Sequence, residues 1–230
     1  MAMEASMVKA VIFDKDGTLF DFTATWGPWT ADLLRDLADD AAHADRLARA
    51  VGFDLSTCRF DPASPVIAGT PGDSARALEA ALPGMTLDAI VRILIERSRD
   101  VVPAPAVPLA PLLSELTDRG LALAVVTNDA EGPALEQLDG HAHHFAFIAG
   151  CDSGHGAKPD PDPLLAAARA LGHAAEDCIM VGDSLHDIRA AHAAGMRALG
   201  VLTGPATELP GAEAVLPDIG HLPRWLDATT

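Results

Sequence analysis

The sequence predicts an α/β fold: a Rossmann-like parallel sheet with helices on both faces, plus an inserted all-helical cap domain. Three observations carry this expectation. Short apolar runs of strand length alternate with helical segments through the second half of the chain, the pattern of a parallel sheet covered on both sides. One similar run, Lys9–Phe13, stands alone near the start. Between them, from about Phe20 to Pro105, no strand-like run occurs and the periodicity is helical throughout, a length sufficient for a small domain. The expected division is therefore a core of residues 1–20 and 105–230, with residues 21–104 as the cap.

Taken in order, Lys9–Phe13 is the first strand. Helical patterns follow at Thr25–Val51, Asp73–Leu82 and Thr86–Arg99, broken at Asp61–Pro65 and Gly69–Gly72, and the Pro-rich stretch Val102–Pro111 returns the chain to the sheet. Pro108–Asp118 reads as a helix stopped by Arg119-Gly120. Strands are expected at Leu121–Thr127, Phe145–Ala149 and Asp177–Val181, with a fifth at Ala198–Leu202. Asp162-Pro163 opens a helix as N-cap and first-turn proline, and Gly172 closes it. Ser184–Ala194 places Leu185, Ile188 and Ala191 on one face and ends at Gly195. Gly204–Thr230 has Pro-Gly turns, weak patterning and no assigned role.

Composition narrows the function. Hydrophobic residues make up 49% of the 230, ample for a buried core, and the formal charge of −17 excludes nucleic-acid and anionic-membrane partners. An anionic small molecule stays allowed, because a metal and one lysine can reverse the potential locally. Cys58, Cys151 and Cys178 are scattered and odd in number, which fits a reducing cytoplasm rather than a disulfide framework. Met1–Lys9 lacks the basic start and apolar run of a signal peptide, and no stretch approaches the ~18 apolar residues of a membrane span. A monomer and a homodimer are both compatible with this reading.

The chemistry is concentrated in four places. Val11-Ile12-Phe13 runs into Asp14-Lys15-Asp16-Gly17-Thr18-Leu19, two carboxylates two residues apart at a strand end. Without a cation they would repel, and the Gly lets backbone approach a ligand. Thr127-Asn128 follows the second expected strand. Lys158 lies in Gly154-His155-Gly156-Ala157-Lys158-Pro159, and Asp183 and Asp187 in Gly182-Asp183-Ser184-Leu185-His186-Asp187. Each alone is ordinary: a turn acid, a helix cap, a solvated lysine. Together they come in order at the carboxyl edge of one sheet, where parallel sheets bind ligands. Carboxylates for Mg²⁺, a hydroxyl with free N–H groups and a single cation are the parts phosphoryl transfer needs.

These four segments, Asp14-x-Asp16-Gly17-Thr18-Leu19, Thr127, Lys158-Pro159 and Gly182-Asp183-Ser184-x-x-Asp187, resemble the four motifs of the haloacid dehalogenase-like hydrolase superfamily, from residue 8 to about 203. The insert after the first motif resembles the helical cap of its phosphoglycolate phosphatase-like branch. The resemblance implies a Mg²⁺-dependent phosphatase acting on a small phosphorylated metabolite, phosphoglycolate being the named substrate of that branch. Asp14 would be nucleophile and metal ligand, and Asp16 general acid and base with its backbone carbonyl on the metal. Thr127 and backbone N–H groups including that of Asn128 would hold the phosphate, with Lys158 neutralising Asp14 and the phosphoryl oxygens. Asp183 would bind metal, and Asp187 would do so directly, through water, or by supporting the site.

Dehalogenases of this superfamily lack the second motif-one acid, and Asp16 is present here. Those that form a Schiff base need a cap lysine, and the only lysines are Lys9, Lys15 and Lys158. A sugar phosphomutase stays open, as does a phosphate- or Mg²⁺-binding regulator without turnover. The cluster His141, His143, His144 lies away from the expected ligand edge. Trp26 and Trp29 could equally line a substrate pocket or pack the first cap helix, and of Arg59, Arg76, Arg92, Arg97 and Arg99 none stands out as a binder of a second anionic group.

Overall fold

The structure, a computed structural model, describes residues 8–229; residues 1–7, on which the signal-peptide reading draws, lie outside the described residues. The first strand, β1 (Ala10–Phe13), is four apolar residues, all buried, as a central strand covered on both faces must be. Asp21 then caps α1 (Phe22–Leu37), its side chain accepting from the Ala24 N–H at 2.7 Å. The segment continues through α2 (Ala41–Ala50), β2 (Phe53–Asp54), β3 (Arg59–Phe60), α3 (Pro65–Ala68), α4 (Pro71–Glu79) and α5 (Leu87–Ser98). The later half holds α6 (Leu109–Asp118), β4 (Ala122–Val126), α7 (Glu131–Gln137), β5 (Phe147–Ala149), α8 (Asp162–Leu171), β6 (Cys178–Gly182), α9 (Leu185–Ala193), β7 (Arg197–Val201), β8 (Ala214–Leu216) and α10 (Leu222–Thr229).

Six strands form one sheet in the order β5-β4-β1-β6-β7-β8, every ladder parallel. Strand period two divides its side chains between two cores. Val11, Phe13, Val125 and Val181 pack with leucines of α6 and α10, while Ile12, Val126 and Met180 pack with α8 and α9. The order reverses between β1 and β6, which opens a crevice at their carboxyl ends.

The inserted segment has its own core, with Leu34 of α1, Leu47 of α2, Leu78 of α4 and Ile90 of α5 buried together. Its two connections to the sheet run side by side. Phe20 bridges Pro105 in antiparallel sense, the Asp21 N–H donates to Ala104 O at 2.8 Å, and the Ala106 N–H donates to Leu19 O at 2.9 Å. Among the described residues no helix is long and apolar enough to cross a membrane.

Several elements differ from expectation. The helix expected over Thr25–Val51 is two, because Asp40 accepts from the His43 N–H at 2.7 Å and starts α2 afresh; a capping carboxylate offers the backbone an alternative to continuing. The insert is helical except for the β2–β3 ladder, where Phe53 faces Phe60 with ring centroids 4.7 Å apart; two residues per strand are too few for alternation to show. Asp162 is the first residue of α8 rather than its N-cap, Pro161 preceding it with no side-chain cap bond, while Gly172 closes the helix at φ 74°. Helix α7, and β8 and α10 in the unassigned C-terminal stretch, were not legible, each being short and half exposed.

Candidate active site

In the parallel register Phe13 lies beside Val125 on one side and Val181 on the other. The residues that follow these three strands therefore emerge together, and the loop after β5 brings in Lys158. The Asp14 N–H donates to Val181 O at 2.9 Å, which fixes the nucleophile candidate at the sheet edge. Buried Lys158 Nζ donates to Asp14 Oδ1 at 2.7 Å and to Asp187 Oδ1 at 2.6 Å. The other Asp187 oxygen accepts from the Ser184 N–H (3.0 Å) and Ser184 Oγ (2.6 Å), closing a capping box at the start of α9. One motif residue thus starts a helix and anchors the lysine.

Asp183 is 2% exposed, and its Oδ2 has no hydrogen-bond partner among the described residues. It is tightly walled. A Cβ added at Gly17 would lie 2.8 Å from Asp183 Oδ1, and one at Gly204 would lie 2.5 Å from its Cγ, with closer overlaps on Oδ2 in both cases. One carboxylate oxygen each from Asp14, Asp183 and Asp187 lies within 4.8 Å of the others. Burial pushes Asp14 up to about 6 against the pull of Lys158, and burial followed by the Asp14 and Asp187 charges pushes Asp183 well above the carboxylate range. Burial opposes the charge on Lys158, yet the facing Asp14 and Asp187 hold its ammonium above its ordinary value. Three acids against one lysine, with a buried unpartnered oxygen of hard donor type, fit a small divalent cation such as Mg²⁺.

Asp16 turns its carboxylate away from this cluster. Its Oδ1 accepts from Trp26 Nε1 at 2.8 Å, and its Oδ2 pairs with Lys15 Nζ at 2.6 Å. Lys15 is wholly buried, also pairs with Asp129 Oδ2 at 3.0 Å, and donates to Gln137 Oε1. Burial, opposed by Lys15, pushes Asp129 up to about 7. Sequence reasoning missed Lys15, Asp129 and Gln137; the one available signal was a lysine set between two motif acids. It also missed Thr203, whose hydroxyl donates to Gly17 O at 2.6 Å, and Gly204 beside it.

Buried Thr127 accepts from the Asp129 N–H at 3.1 Å. The Asn128 side chain accepts from the Lys158 N–H (2.9 Å) and donates to Lys158 O (2.8 Å), pinning the backbone that carries the lysine. It also donates to Ala68 O at the end of α3 (2.9 Å), where His186 Nδ1 is a second partner at 2.9 Å. The inserted segment is thus latched over the acids. A cavity remains between them, with Asp14, Asp16, Thr127 and Lys158 at one end. Trp26 and Trp29, an edge-to-face pair with centroids 5.0 Å apart, also line it and pack against the helical segment. His143 and His144 lie outside this cavity with ring centroids 4.1 Å apart and planes tilted by 36°.

Residues 8–195 match the family model for haloacid dehalogenase-like hydrolases. A phosphoglycolate phosphatase of Rhodospirillum rubrum is 37% identical over 234 residues, covering 96% of this chain and 91% of that protein. Among solved structures, CbbY from Rhodobacter sphaeroides in complex with phosphate superposes with a TM-score of 0.69 at 22% identity, over 94% of this chain and 96% of that one. A β-phosphoglucomutase from Clostridium difficile gives 0.65 at 23% identity, over 97% of each chain. At such identities the structural likeness speaks for the fold.

Proposed function

Since this chain belongs to the haloacid dehalogenase-like hydrolase family, we propose that it is a Mg²⁺-dependent phosphatase that cleaves a small phosphomonoester through a phosphoryl group carried on Asp14. The observation that supports this best is the Lys158–Asp14 contact of 2.7 Å beside the unpartnered Asp183 Oδ2. Asp14 Oδ1 is held by Lys158, which leaves Oδ2 to attack phosphorus. The phosphoryl group passes to Asp14 while the ester oxygen departs as an alcohol, protonated by Asp16. Asp16 then takes a proton from the water whose oxygen attacks the same phosphorus, and inorganic phosphate and free Asp14 result. In the structure Trp26 and Lys15 engage both Asp16 oxygens away from Asp14, so the Asp16 side chain has to turn toward the phosphoryl group for both transfers. Thr127, the Asn128 N–H and Lys158 bind phosphoryl oxygens.

Asp14, Asp183 and the Asp16 carbonyl would hold Mg²⁺, which supplies charge stabilisation to the phosphoryl oxygens when bound. Both Asp187 oxygens are engaged by Lys158 and Ser184, which favours a role in anchoring the lysine and meeting the metal through water. Residues 21–104 would act as a cap, its Ala68 latch excluding bulk water. The three free cysteines accord with a reducing cytoplasm.

The test is phosphate release from phosphoglycolate, sugar phosphates, nucleoside monophosphates and an aryl phosphate, with Mg²⁺ and with EDTA. Release that requires Mg²⁺ is expected. A sugar phosphate that is isomerised without release would mean a mutase instead.

A further inference from the structure

The cavity above the acids says what kind of ester fits. One wall is a stripe of α1, Phe22, Trp26, Trp29, Thr30 and Leu33, joined by Ile67. The spacing is i, i+4, i+7, i+8, i+11, so one helix face supplies it. Both indole N–H groups are spent elsewhere, Trp26 on Asp16 and Trp29 on Arg97 O at 2.9 Å, which leaves ring carbon facing the space. Thr30 is the exception: its hydroxyl is buried, 4% exposed, and has no hydrogen-bond partner among the described residues.

Charge is equally specific. Among the described residues that line the cavity, Lys158 is the only lysine or arginine, and three carboxylates, Asp14, Asp16 and Asp129, face the same space. The cap arginines the sequence offered are elsewhere: Arg76 pairs with Asp73, Arg97 with Asp36 and Arg99 with Glu136, and neither Arg59 nor Arg92 lines the cavity. Helix α4 begins at the wall, but Pro71 has no N–H and the Asp73 carboxylate already accepts from Thr70, which opposes an anion there. His186 donates from Nδ1 to Ala68 O, which ties that edge of its ring to the end of α3. Lys158 serves the phosphoryl end and Lys15 is already shared by Asp16 and Asp129, so a second anion would find no unpaired lysine or arginine among the described lining residues.

We infer that the esterified alcohol is uncharged and mainly apolar, an alkyl or aryl group with one oxygen for Thr30, rather than a hydroxy acid or a sugar. The inference rests on the phosphatase reading above. The experiment compares kcat/KM of the whole protein for benzyl phosphate, phosphoglycolate and glucose 6-phosphate in Mg²⁺. All three release primary alcohols, so leaving-group chemistry does not dominate the comparison. Benzyl phosphate is expected to lead by about tenfold or more, the low end of what a single methylene is worth in an apolar site. Equal or better turnover of phosphoglycolate or glucose 6-phosphate would overturn the inference while leaving the phosphatase reading standing. Release from none of them, nor from an aryl phosphate, would remove both. As a second arm, Ile67→Lys places an ammonium on a partly exposed stretch of the wall. It should raise the phosphoglycolate-to-benzyl ratio about tenfold, and an unmoved ratio would count against the inference; because both esters are assayed on one preparation, partial misfolding cancels.

Discussion

Gly204→Ala tests the walled position of Asp183. Gly204 is not held at positive φ, so alanine suits its backbone and the whole effect comes from one added methyl. That carbon would lie 2.5 Å from Asp183 Cγ and 2.8 Å from its Cβ. Ordinary carbon contact is about 3.5 Å, so Asp183 Cγ would have to move by roughly 1 Å and its more deeply overlapped Oδ2 by more. It cannot retreat, because a Cβ at Gly17 on its other side would already be in collision, which marks that wall as closed too. Overpacking of this kind costs about 1–3 kcal/mol, and a shift of ~1 Å in a positioning group lowers turnover by ~10². Phosphate release and urea denaturation are the readouts, with Gly72→Ala as control. At Gly72 the nearest atom to an added Cβ is Thr70 Oγ1 at 3.4 Å, so α4 should be unharmed or slightly stabilised. Full activity and full stability of Gly204→Ala would refute the reasoning that this C-terminal loop shapes Asp183, the proposed metal ligand.

Three further outcomes are expected. Asp14→Asn should lower turnover by ~10⁴ or more with an unchanged circular dichroism spectrum, since Lys158 keeps Asp187 at 2.6 Å; near-full activity would end the proposed mechanism. Lys15→Met should cost about 3 kcal/mol in urea denaturation, because it leaves the half-buried Asp16 and Asp129 without their cation. Adding Asp129→Asn should recover part of that loss, and a single variant as stable as the parent would show the network to be idle. Saturating Mg²⁺, at ~100 times Kd, should stabilise the fold by about 2.7 kcal/mol, near 5–10 °C in Tm for a chain this size. Asp183→Asn should abolish that shift in differential scanning fluorimetry, and a shift that survives would place the ion elsewhere.

The nucleophile candidate and its partners were legible because their signals are local. Asp14 and Asp16 stand two apart behind an apolar strand, Ser184 and Asp187 have capping-box spacing, and strand and helix alternate in the order of a parallel sheet. What the one-dimensional pattern could not carry are contacts between distant residues of ordinary type. Lys15 meets Gln137 across 122 positions, and Thr203 meets Gly17 across 186. Nothing in the composition of either segment marks the encounter. Likewise the helical period of α1 told that one face would be buried, while only the closed structure showed that part of this face looks into a cavity beside Asp14. The amino-acid order alone therefore determined five of the six strands and the order of their acids, which follow from periodicity and short-range spacing, while the phosphatase class came with the resemblance those motifs carry. The tertiary structure decided which cation steadies Asp16, which glycines wall Asp183 and what the cavity excludes, because those depend on side chains that meet only when the insert folds back over the sheet edge.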